Sequence, residues 1–242
     1  MSKKIIFITI LLLTSYFLIL NSAQAQEIKD ELILTWSANT YIPFDYPGKA
    51  LPVYGSLITV AVIPTSKLTF NLETLNYNWF LDGERQIANS GQNRQEFVFR
   101  VTTTASNEHL IKVQIKNKEG TISLEISTNI KIVSPQIVLY WLDQETNKPG
   151  IAQVNWSWLS PGQERTFVAL PYFFEIQKIN QLKYQWSFEN QLISKAEKPN
   201  FFTLKIAQGE LERPTSRELS ILVENPKNRI QRTSNKIEIM VK

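Results

Sequence analysis

The 242-residue chain is 43% hydrophobic and 20% charged, a globular composition that argues against intrinsic disorder and suits one large domain or two ordinary ones. Its formal charge of +4 includes Lys3 and Lys4 of a predicted leader, so the remaining chain is nearly neutral and lacks the concentrated positive charge that nucleic-acid binding requires. The absence of cysteine excludes disulfides, thiolate nucleophiles and sulfur-liganded metals.

A signal peptide is predicted over residues 1–25. The two lysines precede an apolar run at 5–20, and Ala23 and Ala25 provide the small residues that a signal peptidase reads. Cleavage before Gln26 would export the protein to the periplasm, the cell surface or the medium. The alternative is an uncleaved N-terminal helix that anchors the protein to the membrane, because the apolar run is long for a signal peptide although short for a bilayer span.

An aromatic segment follows the leader and contains Tyr41, Phe44 and Tyr46, with prolines among them. Exposed aromatic rings stack on sugars or anchor a protein partner, so these three residues are candidate contacts. The alternative interpretation is that the segment packs over an open end of the fold.

Alternation of apolar and polar residues predicts β-strands along the rest of the chain. It is clear at 57–63, 97–101 and 111–116, and segments rich in Gly, Asn, Asp and Pro separate such runs. No stretch has the pattern of a long amphipathic helix. The sequence therefore predicts an all-β fold of antiparallel sheets packed in pairs as β-sandwiches.

An internal repeat indicates that the sandwich occurs twice. Leu75-Asn-Tyr77-Asn-Trp79 recurs as Leu182-Lys-Tyr184-Gln-Trp186 at an offset of 107 residues, and Phe97 aligns with Leu204 at the same offset. We expect Tyr77, Trp79, Tyr184 and Trp186 to be core residues of equivalent strands.

The repeat divides the chain near Pro135. It predicts a first β-sandwich domain at residues 26–134 and a second at 135–242, each close to the usual size of one such domain.

The Tyr-x-Trp pair followed by a turn resembles the third strand of polycystic-kidney-disease (PKD) type and related immunoglobulin-like domains. Trp186-Ser-Phe188 fits the Trp-x-Phe opening of the PKD signature, whereas residues 189–191 replace its Gly-Asp-Gly turn; the first repeat keeps only Asp82-Gly83. The resemblance implies tandem immunoglobulin-like sandwiches with the tryptophan at the centre of each core. It also implies a spacer or adhesion role on an exported bacterial protein.

Candidate catalytic and metal-binding residues are few. The single histidine, His109, has neither a second histidine nor a nucleophile motif beside it, and we expect it in a loop or at a strand edge. Asp143 and Glu145 come closest to a calcium loop, but the Lys148 that follows them favours a solvated turn. We therefore predict no catalytic residue, no metal site and no cofactor.

Trp156 and Trp158 are the second group of candidate contacts. An extended Trp-Ser-Trp segment places both indoles on one face, where they are available to a protein or a glycan unless they pack over the sandwich.

Together these features predict an exported, non-catalytic structural or adhesion module that contacts another envelope or surface protein. Carbohydrate binding through the exposed aromatics is the alternative. A hydrolase is a more distant one, because carboxylates far apart in sequence can converge in space.

Overall fold

The computed structural model describes residues 32–64, 71–102, 107–153, 156–193, 198–208 and 214–241. The predicted signal peptide at 1–25 lies outside these ranges. Within them, no helix combines the length and apolar character needed to cross a bilayer.

The N-terminal half contains eight of the described strands. They are β1 (Leu32–Ala38), β2 (Leu57–Pro64), β3 (Asn76–Leu81), β4 (Glu84–Arg85), β5 (Gly91–Gln92), β6 (Glu96–Arg100), β7 (Glu108–Lys116) and β8 (Ser123–Lys131). One sheet has the order β1-β2-β6. The other has the order β4-β3-β7-β8, with β5 also paired to β3.

The C-terminal half contains nine described strands in a corresponding arrangement. They are β9 (Gln136–Leu142), β10 (Pro149–Gln153), β11 (Trp156–Leu159), β12 (Glu164–Tyr172), β13 (Lys183–Phe188), β14 (Gln191–Leu192), β15 (Phe201–Lys205), β16 (Thr215–Glu224) and β17 (Arg232–Val241). The sheets have the orders β10-β9-β12-β15 and β11-β17-β16-β13-β14.

Both halves thus have the strand order of an immunoglobulin-like sandwich. In the N-terminal half β1, β2 and β6 correspond to strands A, B and E of one sheet, and β4, β3, β7 and β8 correspond to C′, C, F and G of the other. In the C-terminal half β9, β12 and β15 correspond to A, B and E, and β14, β13, β16 and β17 correspond to C′, C, F and G. There β10 extends the first sheet beside β9, and β11 adds a parallel A′ strand beside β17. The predicted all-β fold of tandem immunoglobulin-like domains is confirmed. The more specific PKD resemblance remains a prediction.

A stacked tryptophan and phenylalanine join the two sheets in each half. Trp79 on β3 is fully buried and stacks on Phe97 of β6 with ring centroids 5.6 Å apart. Trp186 on β13 is equally enclosed and stacks on Phe202 of β15 at 5.5 Å. The residue equivalent to Phe97 is therefore Phe202, not Leu204, because the two intervening segments differ in length by two residues.

The polar atoms of the repeated Tyr-x-Trp pair have repeated partners. The indole N–H of Trp79 donates to the Arg94 carbonyl at 2.8 Å, and that of Trp186 donates to the Pro199 carbonyl at 3.0 Å. The Tyr77 hydroxyl donates to the Leu72 carbonyl at 2.9 Å, and the half-buried Tyr184 makes the same bond to Ile179 at 3.0 Å. In both repeats, the side-chain donor of each residue of the pair therefore has a backbone carbonyl acceptor in place of water.

The described residues form two compact units. The first contains 32–36, 60–64, 71–97 and 110–129, and the second contains 37–59, 98–102, 107–109 and the described residues from 130 onward. Segment 37–59 therefore belongs to the same unit as the C-terminal sandwich. The domain boundary at residue 135 stays a prediction.

Candidate binding surfaces

Strand β11 presents Trp156 and Trp158 outward, and we call these residues the tryptophan pair. The alternate residues Ser157 and Leu159 are 2% exposed, whereas Trp156 and Trp158 are 56% and 39% exposed. The two indole rings lie edge to face with centroids 5.7 Å apart. Because β11 lies at the edge of its sheet, the pair forms an apolar surface on a regular strand.

Arg165 holds β11 from the side facing the sandwich interior. Its Nη1 donates to the Ser157 hydroxyl at 3.2 Å and to the Trp158 carbonyl at 3.0 Å. Its guanidinium also lies over the Trp141 ring, 4.4 Å from the centroid. Burial lowers the pKa of Arg165, yet a guanidinium remains charged at neutral pH and its hydrogen bonds are charge-assisted.

The aromatic segment near the N-terminus packs within the second unit. Tyr41 exchanges two backbone hydrogen bonds with residues after β12: its N–H donates to the Phe174 carbonyl at 2.8 Å, and its carbonyl accepts from Phe173 at 2.7 Å. Tyr41 and Tyr46 are half-buried, whereas the side chain of Phe44 is fully exposed. Of these three candidate contacts, Phe44 alone is directed entirely toward solvent.

The ring of Tyr46 forms one wall of a cleft on the outer face of the sheet that contains β9 and β12. The ring packs edge to face on Tyr172 at 5.6 Å and on Phe173 at 5.8 Å. A side chain at Gly48 would collide with the Tyr46 ring, so glycine at that position lets the ring take its place. We call this the tyrosine cleft; its volume is about 360 Å³ and it is lined by Asp45, Tyr46, Pro47, Gln136, Val138, Tyr140, Tyr172 and Phe173.

Strand register assembles the floor of the cleft. Gln136, Val138 and Tyr140 share the outward face of β9, because the alternate residues Ile137 and Leu139 are buried in the core. On the neighbouring strand β12, Tyr172 is the last residue and lies opposite Gln136, so its side chain joins the same outward face.

Two tyrosine hydroxyls meet over this floor. The hydroxyls of Tyr140 and Tyr172 are 2.8 Å apart and hydrogen-bonded. Burial, this hydrogen bond and the nearby charge of Asp45 raise the pKa of Tyr172, so the hydroxyl remains protonated well above neutral pH. The cleft thus offers neutral hydroxyls beside one carboxylate.

His109 and Asp143 contribute to packing and to a turn, respectively. His109 is the second residue of β7, is 4% exposed and packs edge to face on Phe99 at 5.6 Å; the expectation of a loop or strand-edge position is therefore wrong. One Asp143 oxygen accepts hydrogen bonds from the backbone and side chain of Thr146 and from the backbone of Glu145; these bonds lower the pKa of Asp143 and fix a turn. Among the described residues, no group of three or more His, Cys, Asp or Glu could hold a metal.

Comparison with known proteins gives distant likenesses. No protein-family model matches the chain, and no curated protein matches it. The three N-terminal domains of the Highly Immunogenic Outer Capsid protein (Hoc) of bacteriophage RB49 are similar, with 13% identity and a TM-score of 0.45 over 87% of this chain and 59% of that one. Immunoglobulin domains 1–5 of Sidekick-1 give 11% identity and a TM-score of 0.29, over 88% and 38%.

A third similar structure is SGBP-B of the Bacteroides ovatus mixed-linkage glucan utilization locus, in complex with a mixed-linkage heptasaccharide. It gives 11% identity and a TM-score of 0.26, over 88% of this chain and 48% of that one. The chain spans about three fifths of the Hoc structure and less than half of the other two. The fold assignment rests on the strand order within this chain.

The sequence predicts a contact role for one aromatic residue of the tyrosine cleft, Tyr46, but not for the three others. Tyr140 carries a usable signal, since it alternates with buried residues on β9. Tyr172 and Phe173 do not, because strand alternation places consecutive residues on opposite faces, whereas both of these rings contact Tyr46.

Proposed function

We propose that this chain is an exported, non-catalytic structural or adhesion module that makes protein–protein contacts at the cell envelope or surface. The observation that carries the proposal is the tryptophan pair, because two large indoles are exposed side by side on an ordered edge strand. Tryptophan is the residue most enriched at the energetic centre of protein interfaces.

The anchoring of β11 supports this role. The strand pairs with β17 along its full length from Trp156 to Leu159, and Arg165 binds its backbone from inside. Because both indoles are already positioned, they lose little conformational entropy when a partner docks against them.

Export is supported by the leader pattern at residues 1–25, and the expected partner is another envelope or surface protein. If the leader stays uncleaved, the same module would act while anchored to the membrane. The charge distribution supports no nucleic-acid partner, because the chain beyond the leader is nearly neutral.

The test begins with photo-crosslinking from position 158 in the native cells, which identifies the partner. Its affinity is then measured for the double variant Trp156→Ala/Trp158→Ala. We expect dissociation constants at least about tenfold higher, as for hot-spot truncation. Ile87→Ala is the matched control, since Ile87 is 76% exposed and lies outside β11.

Equal affinities of the partner for the double variant, the control and the parent chain would show that the tryptophan pair is not part of the interface. Crosslinks that form from position 87 but not from position 158 would do the same.

A further inference from the structure

The tyrosine cleft has the properties of a small-ligand site and is separate in composition from the tryptophan pair. Its volume of about 360 Å³ falls in the range typical of ligand pockets, roughly 300–1,000 Å³. Its walls are aromatic and its polar groups are few. Such a combination orients a ligand by hydrogen bonds while the rings cover its apolar faces.

The polar groups of the cleft both donate and accept hydrogen bonds. Gln136 is exposed at the floor and offers an amide that does both. When one hydroxyl of the Tyr140–Tyr172 pair donates to the other, one hydroxyl proton and several lone pairs remain for a ligand. The carboxylate of Asp45 at the rim adds an acceptor.

The backbone at Phe173 supplies an independent indication of a site. This residue has φ of +63°, a left-handed conformation that is strained for a bulky side chain and that concentrates at ligand-binding positions. The conformation is held by the Phe173 N–H donating to the Tyr41 carbonyl at 2.7 Å. It places the Tyr172 and Phe173 rings 6.1 Å apart beside Tyr46, so the strained residue builds the aromatic wall.

We propose that the tyrosine cleft binds a neutral saccharide. A pyranose ring has an apolar C–H face, which stacks on tyrosine, and a rim of hydroxyls, which both donate and accept hydrogen bonds. The cleft matches both parts through its rings and through Asp45, Gln136 and the tyrosine hydroxyls.

The charge of the cleft selects among saccharides. The carboxylate of Asp45 at the rim would repel the carboxylates of uronic and sialic acids. Its effect reaches the cleft interior, because its charge contributes to the raised pKa of Tyr172. The charge of the cleft thus favours uncharged sugars, such as oligosaccharides of glucose, galactose or mannose, over acidic ones.

The inference is tested with residues 26–242 on an array of neutral and acidic oligosaccharides. The affinity for the strongest neutral ligand is then measured by titration calorimetry for Gln136→Ala and Tyr140→Phe. Each variant removes one hydrogen-bonding group from an outward-facing side chain, so the core is untouched. Unchanged unfolding midpoints verify that both variants fold.

Two controls separate this site from the proposed protein-binding surface. Phe44→Ala removes a fully exposed ring one residue from Asp45, outside the cleft lining, and Trp156→Ala/Trp158→Ala removes the tryptophan pair. We expect neutral glycans to bind, at least about tenfold weaker binding in each cleft variant, and unchanged binding in both controls.

Three results would overturn the inference. They are the absence of binding to any neutral glycan, a preference for acidic glycans, and a loss of glycan binding in the tryptophan variant with full binding in the cleft variants. None of them bears on protein binding through β11, which the crosslinking experiment measures separately.

Discussion

Tyr77 shows how burial in a core determines the protonation state of a single hydroxyl group. Its side chain is fully buried, and its hydroxyl donates to the Leu72 carbonyl at 2.9 Å. Burial raises the pKa of Tyr77 from 10.0 to about 12, because the phenolate would lose its hydration. The neutral hydroxyl is therefore the form that the fold requires.

Alkaline pH should therefore destabilise the protein. A raised pKa in the folded state means that the stabilisation is fully present below pH 10, the value in the unfolded chain, and is lost as pH rises toward 12. A pKa shift of about two units corresponds to about 3 kcal/mol of unfolding free energy from Tyr77. Urea unfolding at several pH values between 9 and 12 measures this loss.

Tyr77→Phe is the matched control, because it keeps the ring and removes the ionisable hydroxyl. Its unfolding free energy should fall less steeply over the same pH range, the remaining slope coming from residues such as Tyr184, whose pKa burial also raises. Identical slopes in the two proteins would show that Tyr77 does not titrate with folding.

For single residues, the sequence predicts structural equivalence where the Tyr-x-Trp motif repeats. The Tyr-x-Trp pairs predicted equivalent strands, and both tryptophans occupy the same stacked position with the same type of carbonyl acceptor. The left-handed backbone of Phe173 could not be predicted, because a bulky residue with positive φ is stabilised only by tertiary contacts such as the Tyr41 bond.

Strand β11 illustrates how a very short element is held in place. It has four residues and relies on β17 on one side and on Arg165 beneath it. Alternation predicts its two faces, since Ser157 and Leu159 are buried while the tryptophan pair is exposed. Its parallel pairing and its anchor could not be read from the sequence, because Arg165 lies on another strand and carries no distinguishing pattern.

Removing the anchor should loosen β11. Arg165→Met keeps an apolar stem and loses the hydrogen bonds to Ser157 and Trp158, so we expect about 1–3 kcal/mol lower stability. Amide hydrogen exchange in β11, measured by mass spectrometry, should accelerate more than exchange in β13.

Arg217→Met is the control, since Arg217 forms an exposed ion pair with Glu189 at 3.6 Å and the loss of such a pair should change stability by less than about 1 kcal/mol. If exchange in β11 is equally slow in the parent and in Arg165→Met, the pairing with β17 alone holds the strand.

The second unit as a whole combines sequence-distant segments. The carbonyl of Tyr54 accepts hydrogen bonds from the side chains of Asn228 at 3.2 Å and Gln231 at 2.9 Å. Arg100 pairs with Glu175 at 2.9 Å. Alternation and the repeat sufficed to predict the all-β fold, but they gave no signal for these bonds, because the segment at 37–59 has no strand pattern before β2.

A fragment that begins at the predicted domain boundary should therefore be destabilised. Residues 135–242 retain the C-terminal sandwich but lose Tyr41, Tyr46 and Tyr54, and Phe173, now 4% exposed, would become accessible. We expect its unfolding free energy to be lower than that of the same sandwich in the full chain by roughly 2–4 kcal/mol, from several lost hydrogen bonds and newly exposed aromatic surface.

Urea unfolding of the fragment and of residues 26–242, followed by the hydrogen-exchange protection of strands β13 and β16 measured by mass spectrometry, makes this comparison. A second fragment that restores residues 37–59 through a flexible linker should recover most of the difference. Equal midpoints for the short fragment and the full chain would show that segment 37–59 adds nothing to the stability of the sandwich.

The repeated tryptophan position also bears on how this chain avoids misfolding. Because the two halves bury an equivalent tryptophan in an equivalent position, a strand from one repeat could pair within the other. Such exchange is a characteristic folding error of tandem domains. The turns that follow the two strands differ: Asp82 and Gly83 form one left-handed pair and Glu189 and Asn190 the other. Both pairs take the same left-handed conformation, so the turns differ in sequence and not in geometry. The spacing from the tryptophan to its stacked phenylalanine does differ, by two residues, so an exchanged strand would not bring its own phenylalanine onto the other repeat's tryptophan position.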